Sequence, residues 1–93
     1  MQQNVRAHLI ITGLVQGVYY RVSARKEALA LGLTGWIKNR PDGAVEAAIE
    51  GNREKAVKFI DWCRQGPPKS QVSDVQLEWE DYKGEYQDFR ITG

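Results

Sequence analysis

The chain is short of most of what marks a familiar active site. Its 93 residues include one cysteine, Cys63, and one histidine, His8. A single thiol excludes an intramolecular disulfide framework and leaves no cysteine-based zinc site. No carboxylate pair, Cys–His couple or Ser–His–Asp set stands out along the chain, so the common acid–base and nucleophilic constellations are missing. Long apolar runs are missing too. Stretches such as Leu9-Ile10-Ile11 fall far short of the roughly 20 residues needed to cross a bilayer, and the N-terminus lacks the basic-then-apolar order of a secretory signal. Charge of one sign is also lacking: 13 Lys and Arg against 12 Asp and Glu leave a net charge of +1. That balance supplies no drive toward nucleic acid or an anionic membrane.

What is present fits one globular unit. Apolar residues at 42% and charged residues at 27% exclude disorder. The length excludes a Rossmann dehydrogenase, a barrel enzyme or any two-lobed catalyst, since single cores occupy roughly 100–150 residues. The expectation is a single domain over residues 1–93 that is soluble, cytoplasmic and monomeric. The balanced total hides an asymmetry. Residues 1–40 carry six cations (Arg6, Arg21, Arg25, Lys26, Lys38, Arg40) against Glu27 alone, whereas residues 41–93 carry seven cations and eleven acids. A basic first part folded around a cleft would favour a small anion there.

Periodicity orders the elements. Val5, Ala7, Leu9 and Ile11 alternate with Arg6, His8, Ile10 and Thr12, which predicts a first strand. Gly13 and Gly17 bracket a short loop. From about Tyr20 a helical face follows in Tyr20, Ala24, Ala28 and Leu31, with Gly32 placed to stop it. Gly35 to Asn39 and Ala44 to Glu50 read as strands joined by Pro41-Asp42-Gly43, whose turn chemistry predicts an antiparallel pair. Asn52 is a good N-cap for a second helix with Ala56, Phe59, Ile60 and Cys63 on one face, ended by Gly66-Pro67-Pro68. Val75, Leu77 and Trp79 predict a fourth strand, and Phe89 and Ile91 a short last one. Two right-handed strand–helix–strand crossovers put both helices on one sheet face. The expected fold is α+β: a ferredoxin-like two-layer βαββαβ sandwich with a short extra C-terminal strand, its sheet antiparallel and its two helices on one face.

The loop from Gly13 to Arg21 carries the chemical signal. It leaves a strand and runs straight into a helix N-terminus, where successive N–H groups lack intrahelical partners and the dipole is positive. A phosphate accepts such donors readily. No Gly-Lys-Ser/Thr follows, so nucleotide and magnesium are not indicated. Arg21 sits in the first turn, where a cation opposes the dipole at a cost of about 0.3–1 kcal/mol. Such local conflicts gather at functional sites, and a guanidinium can grip two phosphoryl oxygens at once. On the residues alone, an Arg reaching solvent or a surface acid stands as the alternative. For Asn39 the alternative is a turn residue, because Asn-Arg-Pro-Asp-Gly is turn-rich in its own right.

Taken together, Gly13-x-Val15-Gln16-Gly17-Val18-x-Tyr20-Arg21 and Gly35-Trp36-x-x-Asn39-x-x-Asp42-Gly43-x-Val45 resemble the two signature blocks of the acylphosphatases. The resemblance continues through Gly51, Gly66-Pro67, Val72 and Phe89 and so spans essentially the whole chain. It implies a ferredoxin-like fold and hydrolysis of small acyl phosphates to a carboxylate and inorganic phosphate. It further implies that Arg21 binds the phosphoryl group with the amides of the loop Val15, Gln16, Gly17, Val18, Tyr19 and Tyr20, that Asn39 positions the attacking water, and that neither metal nor organic cofactor takes part. That chemistry suits the absences noted above. A carboxylate leaving group, with a conjugate-acid pKa of about 4, needs no general acid, and phosphoryl transfer is largely positioning and charge neutralisation.

Two other functions compete. A phosphate- or carbamoyl-phosphate-binding module without turnover would use the same loop. An RNA-binding ferredoxin-like domain would need stacking aromatics and cations on its central strands, and residues 44–50 offer neither. Several residues are read as non-catalytic: His8, with no carboxylate or cysteine partner in view, as a solvated or hydrogen-bonded strand residue, Cys63 as a small core hydrophobe, and Trp36, Trp62 and Trp79 as core or core-edge. Asp42 reads as a turn residue, and Glu78, Glu80, Asp81 and Glu85 as a solvated edge.

Overall fold

Alternation builds the first layer. In the computed structural model, which describes residues 3–93, Val5, Ala7, Leu9 and Ile11 all point into one core while Arg6, His8, Ile10 and Thr12 face the other way. These residues belong to β1 (Asn4–Leu14). The chain continues through α1 (Tyr20–Ala30), β2 (Thr34–Asn39), β3 (Val45–Asn52), α2 (Arg53–Gln65), β4 (Gln71–Glu80) and β5 (Phe89–Ile91). The sheet order is β4-β1-β3-β2-β5. Central β1 and β3 pair antiparallel, with Ala7 opposite Ile49 and Leu9 opposite Ala47. β4 and β2 flank them, also antiparallel. Both helices cover the same face: Tyr20, Ala24 and Ala28 of α1 and Ala56, Phe59, Ile60 and Cys63 of α2 share one cluster with Leu9, Ile11, Val45 and Ile49. This is the expected ferredoxin-like sandwich.

Three details depart from the sequence reading. β1 runs on to Leu14 and β4 begins at Gln71, because a register shift between Thr12 and Gly13 lets the two strands keep pairing. Gly13 makes that possible: at φ 122° a Cβ there would lie 2.2 Å from the carbonyl oxygen of Gln71. β4 is an edge strand with only Val75 buried, so its first half carries no apolar alternation to read. The third departure is β5, which pairs parallel to β2 and makes the five-stranded sheet mixed. After β4 the chain turns back across the open sheet face to the opposite edge, and a strand arriving from that direction lies parallel to β2.

The crossing segment, residues 81–88, is pinned by a carboxylate. Glu50 on the open face of β3 is only 1% exposed. It accepts backbone hydrogen bonds from Lys83 (2.8 Å), Gly84 (3.1 Å) and Glu85 (3.1 Å). Arg6, its cross-strand neighbour, approaches to 3.9 Å and also pairs with Glu80 at 3.0 Å and with Glu85. Glu80 and Glu85 are therefore bound to Arg6 rather than simply solvated. Trp36 likewise lies on the open face, where its indole N–H donates to the Tyr86 hydroxyl at 3.3 Å. Trp79 sits at the exposed edge under the Arg53 guanidinium, 4.8 Å from the ring centre, and Trp62 packs against the core. His8 has a carboxylate partner that the sequence did not reveal: Glu46, on the neighbouring strand, at 2.6 Å.

Candidate active site

The two helices begin differently, and the difference marks the site. α2 follows the usual rules: the Asn52 side chain accepts the Lys55 N–H at 3.2 Å, and Glu54 stands in the first turn. α1 breaks them. No side chain caps it, no acid stands in its first turn, and Arg21 occupies that turn instead. The first N–H paired back into this helix is that of Ser23, to the Tyr19 carbonyl at 3.1 Å. The N–H groups ahead of it therefore point out of the helix end without an intrahelical acceptor.

The loop that presents them is fixed from three sides. Val15 is buried and Val18 packs against the core. Gln16 turns its side chain away and donates to the carbonyls of Arg40 and Ala44, both at 2.9 Å, which ties the loop to the β2–β3 turn. The Tyr20 hydroxyl donates to the Cys63 carbonyl at 2.7 Å, and its ring lies 5.4 Å from that of Trp62. Burial holds the Tyr20 hydroxyl well above the usual tyrosine range. Between these anchors the backbone turns left-handed twice, at Gly17 (φ 74°) and at Tyr19 (φ 63°). Gly17 has open space around its missing side chain, so glycine is needed there for the backbone angle and not for room.

Asn39 is the last residue of β2, opposite Val45. The turn beyond it closes on itself: Arg40 N–H donates to the Ala44 carbonyl at 2.8 Å, and Asp42 accepts the Ala44 N–H at 3.1 Å. These contacts and the Arg40 guanidinium, 2.9 Å away, hold the Asp42 carboxyl below its ordinary value. Asp42 is a turn residue, as read from sequence. Asn39 has another position. Its Oδ1 is buried and accepts no hydrogen bond, an uncommon state for a buried polar atom.

One cleft of about 310 Å³ brings the parts together, lined by Val15, Gly17, Tyr19, Tyr20, Arg21, Val22 and Asn39. Six of the eight residues singled out from sequence border it. Gln16 and Val18 do not; their side chains serve the loop's anchorage. Val22 was not singled out, and its only sequence signal is the i, i+3 spacing from Tyr19. Among the described residues Arg21 pairs with no carboxylate. The basic first part of the chain does not all converge here: Arg6, Lys38 and Arg40 are matched by Glu80 and Glu85, Glu46 and Asp42 respectively. A larger cleft of about 450 Å³ lies between the helices, but Lys26 and Glu27 line it with opposite charges. Only the smaller one combines an unpaired cation, an uncapped helix end and an orphaned amide oxygen.

A family model described as Acylphosphatase matches residues 7–91. A protein named Acylphosphatase from Pelotomaculum thermopropionicum is 57% identical over 87 residues, covering 94% of this chain and 95% of the relative. An acylphosphatase structure from Coxiella burnetii superposes with a TM-score of 0.91 at 39% identity, over 96% of this chain and 93% of its own. One from Bacillus subtilis gives 0.92 at 32%, over 96% and 99%. With the match running through the loop, the first turn of α1 and the end of β2 alike, the chain belongs to the acylphosphatase family.

Proposed function

We propose that this chain hydrolyses the carboxyl–phosphate bond of small acyl phosphates, with Arg21 and the loop amides holding the phosphoryl group and Asn39 holding the water. The phosphoryl oxygens accept hydrogen bonds from N–H groups of the loop from Val15 to Tyr20. Arg21, free of any carboxylate partner among the described residues, neutralises the charge they carry. The observation that supports this reading best is the buried, unpartnered Oδ1 of Asn39 beside the same cleft. An amide oxygen there accepts a hydrogen bond from a water and orients it.

In the reaction the water oxygen forms a bond to phosphorus while the bond from phosphorus to the carboxyl oxygen breaks. The carboxylate leaves with the electron pair, and the water proton passes to a phosphoryl oxygen. Asn39 is neutral and takes no proton. A carboxylate leaving group with a conjugate-acid pKa of about 4 needs no protonation, so the proposed reaction uses neither general acid nor metal. Every residue given a role here belongs to one chain, and we propose that a monomer acts. Phosphate release from acetyl phosphate in the presence of a chelator is the test. Activity that persists with chelator and is linear in protein concentration is expected; activity only with added metal, or none, rejects the reading.

A further inference from the structure

The hairpin turn that follows Asn39 closes on its own bonds. Its Arg40 carbonyl accepts the Gly43 N–H at 3.2 Å, and its Ala44 carbonyl accepts the Arg40 N–H at 2.8 Å. The half-buried Gln16 side chain reaches both of those carbonyls from a loop 24 and 28 residues away in sequence. An amide nitrogen suits that place, because its two hydrogens meet two acceptors at once. Each is a second bond to a carbonyl that the turn has already satisfied, so closing the turn does not require Gln16. What the pair of bonds does fix is the spacing between two sides of the cleft. Gly17, the next residue of the loop, lines one side, and Asn39, the residue before Arg40, lines the other.

We infer that Gln16 is a positioning residue: through the Arg40 carbonyl it holds Asn39, and the water Asn39 orients, in line with the phosphorus. The inference rests on the function proposed above. In-line attack needs the water oxygen about 3–3.5 Å from phosphorus, and an error of roughly 1 Å costs about 100-fold in rate. The phosphorus is placed by the loop and the water by the end of β2, two segments far apart in the chain. The Asn39 Oδ1 has no protein partner to steady it. Gln16 joins the two segments with a side chain that does not line the cleft.

The test measures kcat for acetyl phosphate, the inhibition constant of inorganic phosphate and urea unfolding. The proteins compared are the native chain, Gln16→Met, Asn39→Ala and the double variant. Methionine matches glutamine in length and donates nothing. Gln16→Met is expected to lower kcat roughly 10- to 100-fold, with phosphate inhibition in place. On the residual rate of Asn39→Ala the same substitution is expected to have little effect, because the group it positions is gone. Losses that multiply in the double variant overturn the inference. So does native kcat in Gln16→Met beside a lost kcat in Asn39→Ala, and either result leaves the proposed hydrolysis standing. Weakened phosphate inhibition in Gln16→Met also overturns it, since Gln16 then serves the loop alone. Gln16→Asn keeps the amide but is one methylene too short to span both carbonyls, and its kcat is expected to fall as well. If neither Gln16 variant unfolds cooperatively, Gln16 is structural and the inference fails. No hydrolysis by the native chain, or full turnover in Asn39→Ala, overturns the proposed function and the inference with it.

Discussion

At the residue scale the proposed site rests on Arg21 and Asn39, of which only Arg21 conflicts with a local rule. Arg21 opposes the dipole of α1, so its removal separates stability from function. Arg21→Gln is expected to lower turnover of an acyl phosphate by at least about 10²–10³. Stability in phosphate-free buffer should hold or rise by about 0.3–1 kcal/mol in urea denaturation; collapse of the fold would mark Arg21 as structural. Asn39 makes the opposite kind of prediction. Asn39→Ala removes an orphaned buried acceptor, so phosphate affinity measured by calorimetry should persist while turnover is lost. A parallel loss of both would contradict a water-positioning role. Arg21 was legible in the sequence because its conflict is local, a cation in a first helical turn. The orphaned oxygen of Asn39 was not, since it depends on what the fold brings near the end of β2. Gln16 shows the same limit. Its place in the loop was readable, but its bonds to Arg40 and Ala44 cross 24 and 28 residues of chain.

Among the elements, legibility followed burial. Strands and helices that face the core wrote their period into the chain, as in β1 and in α2 with its Asn52 cap. Edge strand β4 wrote only half of itself, and the direction of β5 was set by residues 81–88, which have no period at all. That segment is held by Glu50, whose two carboxylate oxygens accept three backbone N–H groups. Glu50→Gln replaces one acceptor oxygen with an NH₂ and leaves at least one of those donors unmatched. A loss of about 1–3 kcal/mol is expected in urea denaturation; no change would show that the pin contributes nothing. Acid should loosen the same segment by another route. The hydrogen bond from Arg6 holds the Glu85 carboxyl below its ordinary value of 4.5. Its stabilising effect is full above that value and fades as pH falls through the lowered folded value. The Trp36 indole N–H, bonded to Tyr86 in the same segment, reports this by NMR. Its shift should hold steady at neutral pH and move only below about 4.5; a midpoint near neutrality would point to another group.

For the whole molecule, one buried thiol and one exposed cleft can be read against each other. Cys63 is fully buried in the shared core, and burial pushes its thiol up to about 12. Thiolate is the reactive form, so a disulfide reagent at neutral pH meets almost none of it in the native state. Freeing the side chain requires α2 to leave a cluster it shares with α1 and the central strands. Cys63 modification therefore reports global opening. A ligand that binds only the folded chain suppresses that opening by RT ln(1 + [L]/Kd), roughly 100-fold at a hundred times Kd. Inorganic phosphate should slow Cys63 modification in proportion to its occupancy of the cleft, although the thiol lies in the core and not in the cleft lining. In Arg21→Gln the same phosphate concentration should give little protection, while the rate without phosphate stays near the native one. Equal protection in both proteins would mean that phosphate binds somewhere other than beside Arg21. A faster rate for the variant without phosphate would mean that the guanidinium supports the fold as well as the ligand.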